Sequence, residues 1–227
     1  MLKLGLGLSL SNIKNMGGWN PDDEAKLEAW YKKGTGITLN GSDVSQWADQ
    51  SSNSRNMVQA TATEQPTYNA SEESLTFVSA DTNNLQTSGQ ISLTGSFTIG
   101  IKFHPTAFNN TVIADNTTAN EFFKLTSDNR LAVKIDGSTK NMDLDGTDTF
   151  GDDFILLTRG ALGLMTLYRN GTAQSATQTL TGTSDIDAIG VRRTDVNPFV
   201  GRIFEIQIYS DSNATLTANV NDYLSKL

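Results

Sequence analysis

The sequence predicts an all-β domain, an antiparallel sandwich with a short helix near each end. Three observations lead to it. Phe97, Ile99, Ile101 and Phe103 alternate with Thr98, Gly100 and Lys102, and Leu131, Val133 and Ile135 repeat the pattern; a period of two is that of a half-buried strand. Turn formers punctuate these runs, and Asn170-Gly171 between two strand-like segments is a strong short-range hairpin signal. Helical periodicity is confined to the two ends. A chain of 227 residues suits one such domain.

Taken in order, Leu2, Leu4, Leu6, Leu8 and Leu10 alternate with Lys3, Gly5, Gly7 and Ser9. Extended, they put five leucines on one face, an aggregation hazard unless something covers it. Residues 1–18 are therefore read as an attachment arm and linker, and 19–227 as the sandwich. Trp19, between Gly18 and Asn20, falls outside the strand pattern and is a candidate for contact with another molecule. Asn20-Pro21-Asp22-Asp23-Glu24 reads as a helix start, with a capping Asn, Pro at the first position and acids at the positive dipole end.

Further on, Phe154 to Thr158 has the continuous apolar character of a central strand. Phe204, Ile206 and Ile208 alternate with Glu205 and Gln207, which face the other way. Leu216, Val220, Tyr223, Leu224 and Leu227 share one face of a short terminal helix.

Composition narrows the function. Net charge is −8 with a pI near 4.6, and Lys32-Lys33 and Arg192-Arg193 are the only adjacent basic pairs. A nucleic-acid groove needs a clustered basic face, so nucleic acid is not the expected partner. The absence of cysteine removes disulfides and thiolate metal sites. No apolar run reaches the roughly 20 residues of a membrane span, so no membrane insertion is expected.

Several segments resemble, in order, the laminin-G-like, concanavalin A-like jelly-roll family found in bacteriophage virion and bacterial surface proteins. They are Leu27-Glu28-Ala29-Trp30-Tyr31, Val44-Ser45-Gln46-Trp47-Ala48-Asp49-Gln50-Ser51, Gln65-Pro66-Thr67-Tyr68, Leu167-Tyr168-Arg169-Asn170-Gly171, and Gly201-Arg202-Ile203-Phe204-Glu205-Ile206 before Tyr223-Leu224. The resemblance spans about residues 27 to 227. It departs from the family at Lys32, where Asp is usual, and at Ser52 and Ser54, where the family has glycines. It implies an antiparallel jelly-roll β-sandwich and places Trp30 and Trp47 in the core.

What the resemblance implies about function is less specific, because this fold hosts sugar binding, adhesion, hydrolysis and scaffolding. A glucanase-type glycosidase needs two carboxylates flanking the scissile bond. Glu205 has Ile203 and Gln207 as same-face neighbours, Asp143 and Asp145 run into Gly146, and Asp185 and Asp187 lack a third acid. His104, the only histidine, has no nucleophile elbow to serve. No catalytic residue is assigned. The family admits a rim calcium, for which Asp115 with Asn116 and Asp195 with Asn197 are candidate oxygen donors; turns alone also explain these residues. No cofactor is required.

The expectation is a non-enzymatic structural protein of a bacteriophage particle, assembled in the host cytoplasm. It would carry a lectin-like sandwich on the virion surface as a decoration, fibre or adhesion element, attached through its arm to capsid or tail proteins. A homo-oligomer and a cell-surface glycan are the further partners expected. The alternative is a dedicated carbohydrate-binding or adhesion module.

Overall fold

The computed structural model describes residues 18–118, 120–146, 149–191 and 196–227. Among the described residues the chain is mostly β, with one α-helix. Strands are β1 (Leu27–Tyr31), β2 (Ile37–Asn40), β3 (Asp43–Trp47), β4 (Met57–Val58), β5 (Thr67–Asn69) and β6 (Ser74–Phe77). The longer ones follow: β7 (Leu85–Leu93), β8 (Phe97–Pro105), β9 (Asn110–Asp115), β10 (Asn120–Ser127), β11 (Arg130–Ile135) and β12 (Ser138–Asp143). The last are β13 (Asp153–Arg159), β14 (Leu164–Arg169), β15 (Thr172–Thr179), β16 (Ser184–Ile189) and β17 (Gly201–Tyr209), before α1 (Ala214–Leu224).

The antiparallel pairings run round the molecule. One series is β15–β14–β13–β8–β17, and the far edge of β17 is shared between β6 and β1. A second is β12–β11–β10–β9–β16–β7, and β6–β5–β3–β4–β7 joins the two. Together they make one large sheet in a nearly closed ring, in which β12 and β15 approach each other without pairing.

The ring encloses the main core. Ile99, Ile101 and Phe103 of β8 face Leu125, Leu131 and Val133 within it, along with Trp47 and Phe199. Alternation in the sequence is thus realised as inward and outward faces. Two of the short hairpins use the backbone their residues allow: Asp136-Gly137 and Asn170-Gly171 have positive φ at both positions, as a type I′ turn requires.

Two local readings change. Pro21–Asp23 is a single 3-10 turn rather than a helix, because Leu27–Tyr31 is drawn into β1 by pairing with β17. Phe204 does not share a face with Ile206 and Ile208: the register between β17 and β8 shifts between Ile203 and Glu205. That β-bulge leaves Ile203, Ile206 and Ile208 in the main core without Phe204.

Glu205 and Gln207, on the outward face, are fully buried. α1 supplies part of the cover, docking on Leu156 and over Gly100 with Leu216, Val220 and Leu224 in a second apolar cluster. Asn213 caps the helix by accepting from Leu216 N at 2.9 Å.

The loop after Trp47 carries a polar network. Asp49 accepts from Trp30 N (2.8 Å), Ser51 N (2.8 Å), Ser51 Oγ (2.7 Å) and Arg55 N (2.9 Å). Asn53 Nδ2 donates to Leu27 O and Glu28 O. Ser54 takes a left-handed φ of 56°, a conformation that glycine more commonly supplies.

Candidate functional site

A polar cleft lies where Asp145 and residues 149–153 meet the β14–β15 hairpin. The Asn170-Gly171 turn builds one wall. Its geometry turns the Asn170 amide back toward the start of β13, where Oδ1 accepts from Phe154 N at 2.9 Å and Nδ2 donates to Asp153 Oδ1 at 2.5 Å. Arg169 Nη2 donates to Asp153 Oδ2 at 2.8 Å and to Thr149 O at 3.2 Å. Its guanidinium lies 4.3 Å from the Phe150 ring centroid.

The other wall is pinned by Asp145, which accepts from Ser175 N at 2.7 Å and Ser175 Oγ at 2.6 Å while its own N–H donates to Gln174 Oε1. Between the walls lies a cavity of about 280 Å³ lined by Asp145, Asp153, Arg169, Asn170, Thr172 and Gln174. Phe150 continues outward to Phe108, 6.2 Å away between ring centroids. Phe108 is 38% exposed, among the few large apolar side chains the domain leaves to solvent.

Asp153 is held as an anion. Burial opposes the charge on Asp153, but hydrogen bonds from Asn170 and Arg169, the Arg169 charge and the Gly151 N–H outweigh it and lower its pKa. Glu205 shows the reverse: burial pushes its pKa up despite donors from Gln207, Trp30 and Lys33 N. It is also sealed from solvent. A glycosidase general acid must be both protonated near its operating pH and within reach of the leaving group, and neither carboxyl meets both conditions.

The structure distributes the other candidates as follows. Asp115 lines a separate cavity of about 190 Å³ with Asp136 and Asp185; it accepts from Gln90 Nε2 at 2.6 Å and from Thr118 N and Oγ1. Asn116 N donates to Asp187 Oδ1. Asn197 has a φ of 53° and its carbonyl accepts from Thr111 N. Both local arrangements are those of turns, and among the described residues no group of three or more acidic, His or Cys side chains is arranged for a metal. Asp195 lies outside the described residues, as do Leu2, Leu4, Leu6, Leu8 and Leu10.

Trp19 packs within the chain, its ring 6.4 Å from Tyr209 and 6.1 Å from Tyr223, with Nε1 donating to Glu24. Trp30 and Trp47 are core residues. His104 Nδ1 lies 2.7 Å from Asp152 Oδ1 and 2.8 Å from Arg202 Nη2, in a surface charge network. No described helix is long and apolar enough to cross a membrane.

Sequence reasoning passed over the cleft. Its residues come from three separated stretches, and Arg169-Asn170 reads as a turn signal alone. Phe108 offered the one cue, an aromatic inside the polar segment Thr106–Asn110.

No family model and no curated protein sequence matches the chain. Solved structures do. The binding domain of Paraclostridial Mosquitocidal Protein 1 superposes with a TM-score of 0.60 at 17% identity, over 91% of this chain and 53% of that one. The botulinum neurotoxin serotype D binding domain does so with a TM-score of 0.55 at 13% identity, over 88% and 52%. The chain thus spans about half the length of these structures. A partial match is the CBM40 of a Ruminococcus gnavus IT-sialidase bound to α2,3-sialyllactose, with a TM-score of 0.41 at 21% identity, over 55% and 81%. With the first two of these structures the chain shares an all-β fold.

Proposed function

We propose that this chain is a non-catalytic carbohydrate-binding or adhesion module, that its ring of strands is a jelly-roll β-sandwich of the concanavalin A-like type, and that the cleft beside Asn170 holds a saccharide unit. The observation that carries this reading is the cleft itself. Planar polar groups of fixed orientation, Arg169, Asn170, Asp153 and Gln174, line it, and Phe150, 4.3 Å from the Arg169 guanidinium, leads outward to the exposed ring of Phe108. Sugar hydroxyls are paired donors and acceptors that such groups satisfy, and the apolar face of a pyranose packs on an aromatic ring. At about 280 Å³ the cavity falls just below the roughly 300–1,000 Å³ typical of small-molecule sites, which favours one saccharide unit over a buried chain. The locked anion at Asp153 and the sealed Glu205 favour binding over hydrolysis.

The test is a glycan array followed by calorimetry on the best ligand. Binding to at least one glycan family is expected, weakened about tenfold or more by Phe108→Ala and by Arg169→Lys, with no release of new reducing ends. Wild-type protein that retains no glycan, or binding that both variants leave unchanged, refutes the cleft assignment. Turnover of the bound glycan refutes the non-catalytic reading.

A further inference from the structure

The outward face of β8 and β17, beside α1, gathers cations that are far apart in the sequence. The bulge at Phe204 makes this possible, because it turns that ring outward beside Glu205. Lys33 Nζ stands 5.7 Å from the Phe204 centroid, and the Arg202 guanidinium stands 5.7 Å from the same centroid. Lys102, paired across from Glu205, lies over Phe154 at 5.7 Å. Two carboxylates border them: Arg202 donates to Glu72 Oε2, and to Asp152 Oδ1 at 3.1 Å.

The lysines are differently placed from Arg202. Among the described residues neither Lys33 nor Lys102 forms an ion pair with a carboxylate side chain, and Lys33 Nζ instead donates to the Leu227 main-chain oxygen at 3.1 Å. Burial lowers the Lys102 pKa; Asp152 and Asp153 oppose that and the nearby Lys33 charge adds to it. An anion seated between the two lysines would relieve this.

We propose that this face is a second ligand site, which takes an anionic group of an acidic polysaccharide, a carboxylate or a sulfate, between Lys33 and Lys102, with Arg202, Glu72 and Asp152 meeting the neighbouring hydroxyls. The proposal rests on the carbohydrate-binding reading and adds the class of glycan. Both signs of charge are needed for this ligand, since a sugar acid presents an anion flanked by hydroxyl donors. A deoxynucleotide strand carries phosphodiesters without flanking hydroxyls along its length, so it offers Glu72 and Asp152 no donors and fits this face less well.

The experiment titrates the full chain with polygalacturonate and with its methyl ester, which has the same backbone without charge. A sulfated galactan and its desulfated form make the parallel arm, and single-stranded oligothymidylate serves as the nucleic-acid comparison. At least one acidic polymer is expected to bind about tenfold more tightly than its uncharged form, with affinity falling as salt is raised. The double variant Lys33→Gln, Lys102→Gln should lose that preference at an unchanged thermal midpoint, and Lys102→Arg should keep it. Phe108→Ala, which tests the cleft, should leave it intact, so the two sites can fail separately. Equal affinity for charged and uncharged forms, oligothymidylate binding as tightly as the acidic polymers, loss in Phe108→Ala alone, or a charge preference that survives in a folded double variant overturns the proposal. Should the double variant unfold, the single variant Lys33→Gln gives the same decision.

Discussion

Trp30 Nε1 donates to Glu205 Oε1 at 2.7 Å, tying β1 to β17 across 175 positions of sequence. The same carboxylate accepts from Gln207 Nε2 at 2.7 Å and from Lys33 N at 3.1 Å, and Tyr209 OH donates onward to Gln207. Its surroundings are donors, so the group is fully employed in holding strands together. Trp30→Phe keeps most of the ring and removes one charge-assisted donor. A loss of about 1.5–3 kcal/mol is expected in urea unfolding, and a variant within 0.5 kcal/mol of wild type would contradict the arrangement.

Glu205 also gives the domain a pH signature. Its folded pKa is raised above the unfolded value, so the folded state holds the proton more tightly. That contribution to stability is fully present below the unfolded pKa and is lost as pH rises through the folded pKa. Glu205→Gln should remove this segment of the stability profile, and should also be less stable than wild type at acidic pH, where its NH₂ confronts donors. Unfolding free energies from pH 4 to 8 read both effects; an unaltered profile would mean Glu205 does not titrate differently in the fold.

Gly100 marks where α1 presses on the sheet. A Cβ there would meet Leu224 Cδ1 at 2.9 Å and Val220 Cγ1 at 3.0 Å. Gly100→Ala should therefore lift the helix, with a loss of about 1–3 kcal/mol and faster amide exchange in Ala214–Leu224 than in the strands. Uniform exchange changes would indicate that helix and sheet do not separate locally.

Asp49 receives three main-chain N–H groups and one hydroxyl. Asp49→Ala leaves the buried Trp30 N–H without its acceptor, and each such orphan costs about 1–3 kcal/mol. Asp49→Asn should fall between the two in urea midpoint. Alanine equal to wild type would show that water replaces the carboxylate.

Trp47 is fully buried against Tyr31, with ring centroids 5.7 Å apart, and donates from Nε1 to Lys32 O. Trp47→Ala should lose about 3–5 kcal/mol. Differential scanning calorimetry would register this as a much lower midpoint, or as no transition at all.

By itself the sequence determined the strand-rich class, the Asn170-Gly171 hairpin turn and the terminal helix. It also determined the burial of Trp30 and Trp47 through segments resembling a known family. These are local properties: period-two patterning, positive-φ residues and capping act over a few positions. It misread Phe204, because a bulge belongs to the pairing of two strands and leaves no mark on one of them. Glu205 looked like an outward acid because period two reports only which face a residue occupies; what covers that face, here Trp30 and α1, is a tertiary matter. The cleft and the cationic face were invisible for the same reason. Phe108, Asp153 and Arg169, like Lys33, Lys102 and Arg202, are unremarkable alone, and only the closing of the strand ring brings their charges and rings within interaction distance.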